Sequence, residues 1–289
     1  MNIHGLIDTV SISLGSLLIK KYFREDLTGR PLKEHLDSLE LDLPELPAAD
    51  LEGDYQVQAS TLVGSLDALF RIAQWQGNEY PTIIYHHGAS EVPFDFGFKK
   101  IFPYEKQAIE ANLILIRAPF HGSRKEYSEN IVTMDNFLAM AATSVGLIEK
   151  LISHLKKKGC QDIMIAGTSL GGYVSNFHHI YYNTATKYMP IMAGVNFYDT
   201  LFESIYRKGV IKTSTRERGQ LEELLNFTDE FADCDNSNVY PLLAKNDRIV
   251  RLEVQKKSYG NLSVETFDKG HVTGAIAGET IRNHIFDSI

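Results

Sequence analysis

One serine lies in a sequence context that restricts the fold more than any other feature of the chain. An apolar run at residues 163–166 leads directly into Gly167-Thr168-Ser169-Leu170-Gly171-Gly172, and a helix-compatible stretch follows. The pattern G-x-S-x-G between a strand and a helix is typical of a sharp turn that exposes the serine hydroxyl. Such a turn crowds the backbone, so glycines on either side of the serine remove Cβ atoms that would clash. The new helix also directs its N-terminus at the serine, which favours developing negative charge there.

The rest of the chain alternates between apolar runs and helical segments. Short apolar runs typical of strands buried on both faces occur at residues 82–85, 113–116, 163–166 and 240–244. Residues 56–63 and 68–75 have the composition of two further strands joined by a turn. Apolar side chains recur at helical spacing over residues 134–158, with Asp135 at the start and Gly159 after the end. We therefore predict an α/β fold with a mainly parallel central sheet flanked by helices.

The first 50 residues are expected to form a helical extension and linker ahead of a main domain at residues 51–289. Apolar positions at helical spacing predict a helix that packs on the main body: Val10, Leu14, Leu17, Leu18 and Tyr22. Two prolines, Pro44 and Pro47, form a stiff connector. A membrane-surface helix is the alternative, because basic residues lie nearby at Lys20, Lys21 and Arg24.

Composition excludes several classes of protein. Hydrophobic residues make up 44% and charged residues 23%, as in soluble globular proteins. The formal net charge of −8 argues against nucleic acid as a partner. Cys160 and Cys234 are far apart and indicate no disulfide framework, which favours a reducing compartment. The apolar stretch at residues 10–19 is interrupted by serines, so it resembles a signal peptide poorly. It is also too short to span a membrane. We expect a cytoplasmic protein without membrane association and without a cofactor. The histidines show no metal-binding motif such as H-E-x-x-H, which argues against a metal site.

Together with the serine turn, four further segments carry a resemblance to a known family. They are residues 85–89 (Tyr-His-His-Gly-Ala), 117–123 (Arg-Ala-Pro-Phe-His-Gly-Ser), 243–250 and 267–272. In this order they resemble the α/β-hydrolase superfamily over about residues 55–289. The resemblance implies an α/β-hydrolase fold. It also implies a small helical cap, inserted at about residues 198–236.

The resemblance implies a catalytic triad in the chain order of that family. Ser169 would be the nucleophile, Asp247 the acid and His271 the base. Asp247 lies where an apolar run gives way to polar residues. Asp199 and Asp268 remain competing acids. Some family members carry the acid after the sixth strand, which would select Asp199.

The resemblance also implies two backbone donors of an oxyanion hole, the N–H groups of Ala89 and Leu170. His87 and His121 are candidate pocket residues, with bracing of their loops as the alternative interpretation. Arg117 replaces the aspartate that the family often has there. His284 is expected on the surface of the last helix.

These features predict a serine hydrolase that cleaves a small-molecule carboxylic ester, or a thioester, through an acyl-enzyme. A peptidase, amidase or acyltransferase with the same triad, a membrane-associated lipid hydrolase and a non-catalytic binding module remain alternatives. The single glycine after His87 argues against esterases of the HGGG type. Apolar residues in the predicted cap favour a hydrophobic acyl or aromatic substrate, or pack the cap on the body: Phe202, Ile205, Tyr206, Leu221, Leu224, Leu225 and Phe227.

Overall fold

A computed structural model describes residues 2–18, 21–47, 51–89 and 91–288, without the side chains of Leu17 and Leu18. The predicted domain boundary at residue 50 lies outside the described residues. So does Lys20, one of the basic residues of the membrane-surface alternative, together with the side chains of Leu17 and Leu18.

A single mixed sheet forms the centre of the described structure. Its strands are β1 (Glu40–Asp42), β2 (Gly53–Thr61), β3 (Gly64–Gln74), β4 (Thr82–His86), β5 (Asn112–Arg117), β6 (Ile163–Thr168), β7 (Lys187–Ile191), β8 (Leu242–Ala244) and β9 (Glu265–Phe267). The spatial order is β1-β2-β3-β5-β4-β6-β7-β8-β9. The first three strands and the β3–β5 pair are antiparallel, and every other neighbouring pair is parallel. The predicted mainly parallel sheet is therefore confirmed.

Helices cover both faces of this sheet. They are α1 (Ile3–Leu18), α2 (Leu32–Asp37), α3 (Phe96–Ile101), α4 (Arg124–Asn130), α5 (Met134–Lys157), α6 (Leu170–Tyr181), α7 (Thr215–Leu225), α8 (Thr228–Ala232), α9 (Leu252–Ser258), α10 (His271–Ala275) and α11 (Gly278–Asp287). A π-helix at Asp199–Glu203 and a 3-10 helix at Ile205–Gly209 follow β7.

Strand β4 shows why the central strands consist of continuous apolar residues. All of its residues are buried, and adjacent side chains point to opposite faces of the sheet. Ile84 joins the core beneath α5 and α6, whereas Ile83 joins the core beneath α3 and α11. A strand covered by helices on both faces has no solvent side, so it shows no polar alternation.

Helix α5 begins at the predicted residue, Met134, and ends at Lys157, one residue before the predicted end. The Thr133 side chain caps it by accepting a hydrogen bond from the Asn136 N–H at 3.1 Å. By length and composition α5 could cross a bilayer, but 78% of its most apolar window is buried inside the fold. Burial in the core therefore explains its apolar character.

The N-terminal region, predicted as a helical extension and linker, contains a short strand as well as two helices. Strand β1 extends the sheet by pairing Leu41 with Ala59 of β2. The Tyr22 N–H donates to the Gly209 carbonyl at 2.9 Å, and the Phe23 N–H donates to the Ile131 carbonyl at 3.1 Å. This backbone pairing with distant segments holds Tyr22 and Phe23 against the main body.

The predicted cap, residues 198–236, uses its aromatic side chains for packing. Phe202 stacks on Phe23 with ring centroids 6.3 Å apart, and Tyr206 stacks on Tyr22 at 6.1 Å. Of the seven apolar cap residues named above, Phe202, Leu221, Leu225 and Phe227 are buried, and Ile205, Tyr206 and Leu224 are half-buried. These contacts favour cap-to-body packing over exposure to a substrate.

Candidate active site

Ser169 occupies the strained turn between β6 and α6. Its φ of 56° and ψ of −116° fall where a residue other than glycine is rarely found. A Cβ added at Gly167 would collide with the backbone of Gly171, and one at Gly171 would collide with the carbonyl of His86. Both glycines are thus required for α6 to start this close to β6 and β4. Ser169 is half-buried and lies at the N-terminal end of α6.

Three side chains form one hydrogen-bonded chain at this turn. The distance from Ser169 Oγ to His271 Nε2 is 2.9 Å, and that from His271 Nδ1 to Asp247 Oδ2 is 2.7 Å. An ionised carboxylate only accepts, so Nδ1 carries the proton and Nε2 is free to accept from the serine hydroxyl. A hydrogen-bonded chain of this kind allows the serine proton to pass to Nε2 while the carboxylate orients the ring.

Asp247 is fixed on both sides. Its Oδ1 accepts the N–H groups of Ile249 at 2.8 Å and Val250 at 2.7 Å, which leaves Oδ2 for the imidazole. Burial raises the pKa of Asp247, and the nearby imidazole and the two N–H groups oppose that rise. Pairing between the loops brings the acid to the base, since the Asn246 N–H donates to the carbonyl of Lys269 at 2.9 Å.

The pKa of His271 is raised above its ordinary value of 6.5. Burial alone would lower this pKa, but the charge and the hydrogen bond of Asp247 outweigh it. The charge of Asp8, on α1, adds to the rise. Both carboxylates therefore favour the protonated form of the His271 ring.

The two competing acids have other partners. Asp199 is buried and forms a two-point ion pair with the guanidinium of Arg251. Asp268 accepts a hydrogen bond from the Asn246 side chain at 2.6 Å. Of the three acids, Asp247 is the one that hydrogen-bonds to His271.

The loop after β4 lies against the nucleophile. A Cβ on Gly88, the residue before Ala89, would be 3.7 Å from Ser169 Cβ. Leu170 is the first residue of α6, so its N–H has no acceptor within the helix. The oxyanion hole itself, with the N–H groups of Ala89 and Leu170 as its donors, stays a prediction.

His87 and His121 are buried rather than exposed in a pocket. Nδ1 of His87 donates to the Gly88 carbonyl at 2.7 Å, and its Nε2 accepts the Ala118 N–H at 3.1 Å. Nδ1 of His121 donates to the Pro119 carbonyl at 2.9 Å. Burial keeps the pKa of His87 well below 6.5 and lowers that of His121 to about 4. Both rings are neutral and brace the loops after β4 and β5.

Two acids near the site were missed by sequence reasoning. Glu91 accepts the N–H groups of Gly88 at 3.1 Å and Gly97 at 2.6 Å, and so holds the loop that contains Ala89. Asp8 accepts backbone N–H groups from the loop of His271. The signal for Asp8 was its isolation: within α1 it is the one Asp, Glu, Lys or Arg residue.

The sequence matches no protein-family model and no curated protein. Solved structures do resemble the fold. An acetyl xylan esterase from Thermoanaerobacterium shares 13% identity, covering 86% of this chain and 91% of the other, with a TM-score of 0.56. Est1E from Butyrivibrio proteoclasticus, determined with ferulic acid bound, shares 14% identity over 78% of this chain and 95% of the other, with a TM-score of 0.54.

A Pyrococcus horikoshii acylaminoacyl peptidase is similar at 15% identity and a TM-score of 0.53. The match covers 87% of this chain but only 40% of the peptidase chain. Together with the strand order and the turn at Ser169, these likenesses show that this chain has the α/β-hydrolase fold.

Proposed function

We propose that this chain is a serine hydrolase that cleaves a carboxylic ester through an acyl-enzyme intermediate. The observation that carries the proposal is the hydrogen-bonded chain of Ser169, His271 and Asp247 at a strained strand-to-helix turn. A serine hydroxyl is a weak nucleophile until a neighbouring base accepts its proton. Here the base lies 2.9 Å from Ser169 Oγ.

The proposed reaction has two halves. Ser169 Oγ attacks the ester carbonyl while its proton moves to Nε2 of His271, and Asp247 stabilises the imidazolium. The N–H groups of Leu170 and Ala89 hold the tetrahedral oxyanion. The leaving alcohol takes the proton from His271 and departs, which leaves an acyl group on Ser169. Water, deprotonated by His271, then attacks the acyl group, and the carboxylic acid and free serine are released.

An ester is favoured over an amide by the solved structures that this chain resembles across nearly their whole length. One of them is an acetyl xylan esterase, and the other binds ferulic acid. Peptide hydrolysis is the second candidate, supported by the likeness to the acylaminoacyl peptidase. That support is weaker because more than half of the peptidase chain has no counterpart here.

Hydrolysis of p-nitrophenyl esters of increasing acyl length tests the proposal, with a p-nitroanilide of the same acyl group as the amide arm. We expect ester hydrolysis by the wild type and a loss of at least about 10⁴-fold in kcat for Ser169→Ala. Ser214→Ala is the matched control, since Ser214 is an exposed cap of α7. Equal ester hydrolysis by wild type and Ser169→Ala would contradict the proposal, and hydrolysis of the anilide alone would favour the peptidase.

A further inference from the structure

Asp8 is a buried carboxylate on a helix whose outer face is exposed. The apolar side chains of Ile3 and Leu14 are 66% and 57% exposed, whereas Asp8 is completely buried. Asp8 Oδ2 accepts the N–H of His271 at 2.8 Å and that of Arg248 at 3.1 Å, and Oδ1 accepts the N–H of Val272 at 2.9 Å. One carboxylate thus binds backbone at the start of α10 and in the segment after β8, both more than 200 positions away in the sequence.

These two segments carry His271 and Asp247, two members of the proposed triad. His271 and Val272 are the first residues of α10, so their N–H groups have no acceptor within that helix. Gly270 precedes α10 at the position where a side chain normally caps a helix, and glycine has no side-chain acceptor. Asp8 supplies that acceptor from another element. Asp8 also accepts the N–H of Arg248, the residue that follows Asp247.

The close approach of α1 depends on the same glycine. A Cβ on Gly270 would lie 2.8 Å from Asp8 Oδ2 and 2.9 Å from the His4 carbonyl oxygen. A second contact supports the first, because His4 Nδ1 lies 3.0 Å from the hydroxyl of Thr273 on α10. Helix α1 is therefore attached to α10 at two points, one helical turn apart on α1.

The charged and titratable groups that face His271 and the start of α10 come from two elements, helix α1 and the segment after β8. Asp247, from the loop after β8, hydrogen-bonds directly to the imidazole. Asp8 and His4 face α10 from α1, and the Arg248 side chain packs against Gly5 of α1. The negative charge of Asp8 acts with that of Asp247 to raise the pKa of His271.

We infer that Asp8 is a positioning residue of the active site: it holds the backbone at His271 and Arg248 so that the imidazole meets both Ser169 and Asp247. The inference rests on the proposed function, because it assigns α1 a part in the same triad. Asp8 binds backbone, so its effect on turnover passes through His271.

Asp8→Asn tests the inference in ester hydrolysis. Its amide replaces one acceptor oxygen with a donor that faces backbone N–H groups, and it removes the charge. We expect kcat to fall about 10-fold to 100-fold, as a small misplacement of a catalytic group does. KM should change little, and the acid limb of the pH profile of kcat/KM should move to lower pH because the imidazolium loses a stabilising charge.

Asp135→Asn is the matched control. Asp135 also connects the N-terminal region to the body, since it accepts the backbone N–H of Arg30 at 2.7 Å and pairs with the Arg30 guanidinium. It lies at the start of α5, outside the proposed triad and its loops. We expect Asp135→Asn to lower the melting temperature and to keep the kcat and pH profile of the wild type.

A folded Asp8→Asn variant with the kcat and acid limb of the wild type would overturn the inference. If Asp8→Asn does not fold, Asp8→Ser serves instead, since serine is smaller and still accepts one hydrogen bond. It should show the same two changes, and an unchanged kcat and pH profile would again overturn the inference. A wild type that neither hydrolyses esters nor reacts with a fluorophosphonate would contradict the proposed function itself, which separates the two failures.

Discussion

Asp247 and Asp199 are two buried acids that follow neighbouring strands of the sheet, and they have different partners. Asp199 is paired with the guanidinium of Arg251, which occupies both carboxylate oxygens. Asp247 is held through one oxygen by backbone N–H groups, and its other oxygen binds His271. The two carboxylates differ because a cation holds both oxygens of Asp199, whereas Asp247 keeps one oxygen for the imidazole. Neutral backbone donors fix its position and leave its charge for the imidazole.

The largest expected effect is a loss of turnover that distinguishes Asp247 from Asp199. Asp247→Asn should lower kcat by about 10⁴-fold, because an amide favours the wrong imidazole tautomer and no longer stabilises the imidazolium. Ester hydrolysis under saturating substrate measures this loss. A folded Asp247→Asn variant that keeps a tenth or more of the wild-type kcat would contradict the assignment of Asp247, rather than Asp199, as the acid that orients His271.

Asp199→Asn should instead affect stability. The variant leaves the Arg251 guanidinium without its carboxylate, and we expect a loss of about 1–3 kcal/mol in the free energy of unfolding. Turnover should stay within about three-fold of the wild type, since Asp199 does not contact His271. Urea denaturation and kcat measured on the same preparation check both parts. A thousand-fold fall in kcat with an intact fold would assign the orienting role to Asp199.

The smallest effect is the pH dependence. His271 must be neutral to accept the serine proton, so kcat/KM should rise with pH through an apparent pKa above 6.5. The acid limb should not move in Asp199→Asn, because the charge of Asp199 is already compensated by Arg251. Initial rates across pH 5 to pH 9, a range of about four units around the imidazole pKa, provide the measurement. An acid limb below pH 6 in the wild type would contradict the electrostatic account of His271.

Local sequence signals were sufficient for the turn at Ser169. Its glycines and the apolar strand before it act over a few residues, so the G-x-S-x-G pattern and its context predicted the turn. The central strands were recognisable because strands such as β4 are buried on both faces. Long-range contacts were not predictable in this way. Strand β1 has only three residues and is defined by its pairing with β2.

Two further residues show the same limit. His284 was expected on the surface but is buried, with its ring bound to the Glu265 side chain at 2.9 Å and to the Tyr240 carbonyl at 3.0 Å. Those partners belong to a strand and a loop far from His284 in the sequence. The helical spacing of apolar residues therefore could not predict that His284 is buried. Asp8 has its partners at Arg248, His271 and Val272, so only the folded chain shows what this isolated acid binds.

The most direct test of the central claim is the intact mass of the protein after reaction with a fluorophosphonate probe, for the wild type, Ser169→Ala and Ser214→Ala. The account predicts one probe adduct on the wild type and on Ser214→Ala, and none on Ser169→Ala, because His271 activates only Ser169. An unmodified wild type, or an adduct that persists in Ser169→Ala, would contradict the assignment of Ser169 as the nucleophile.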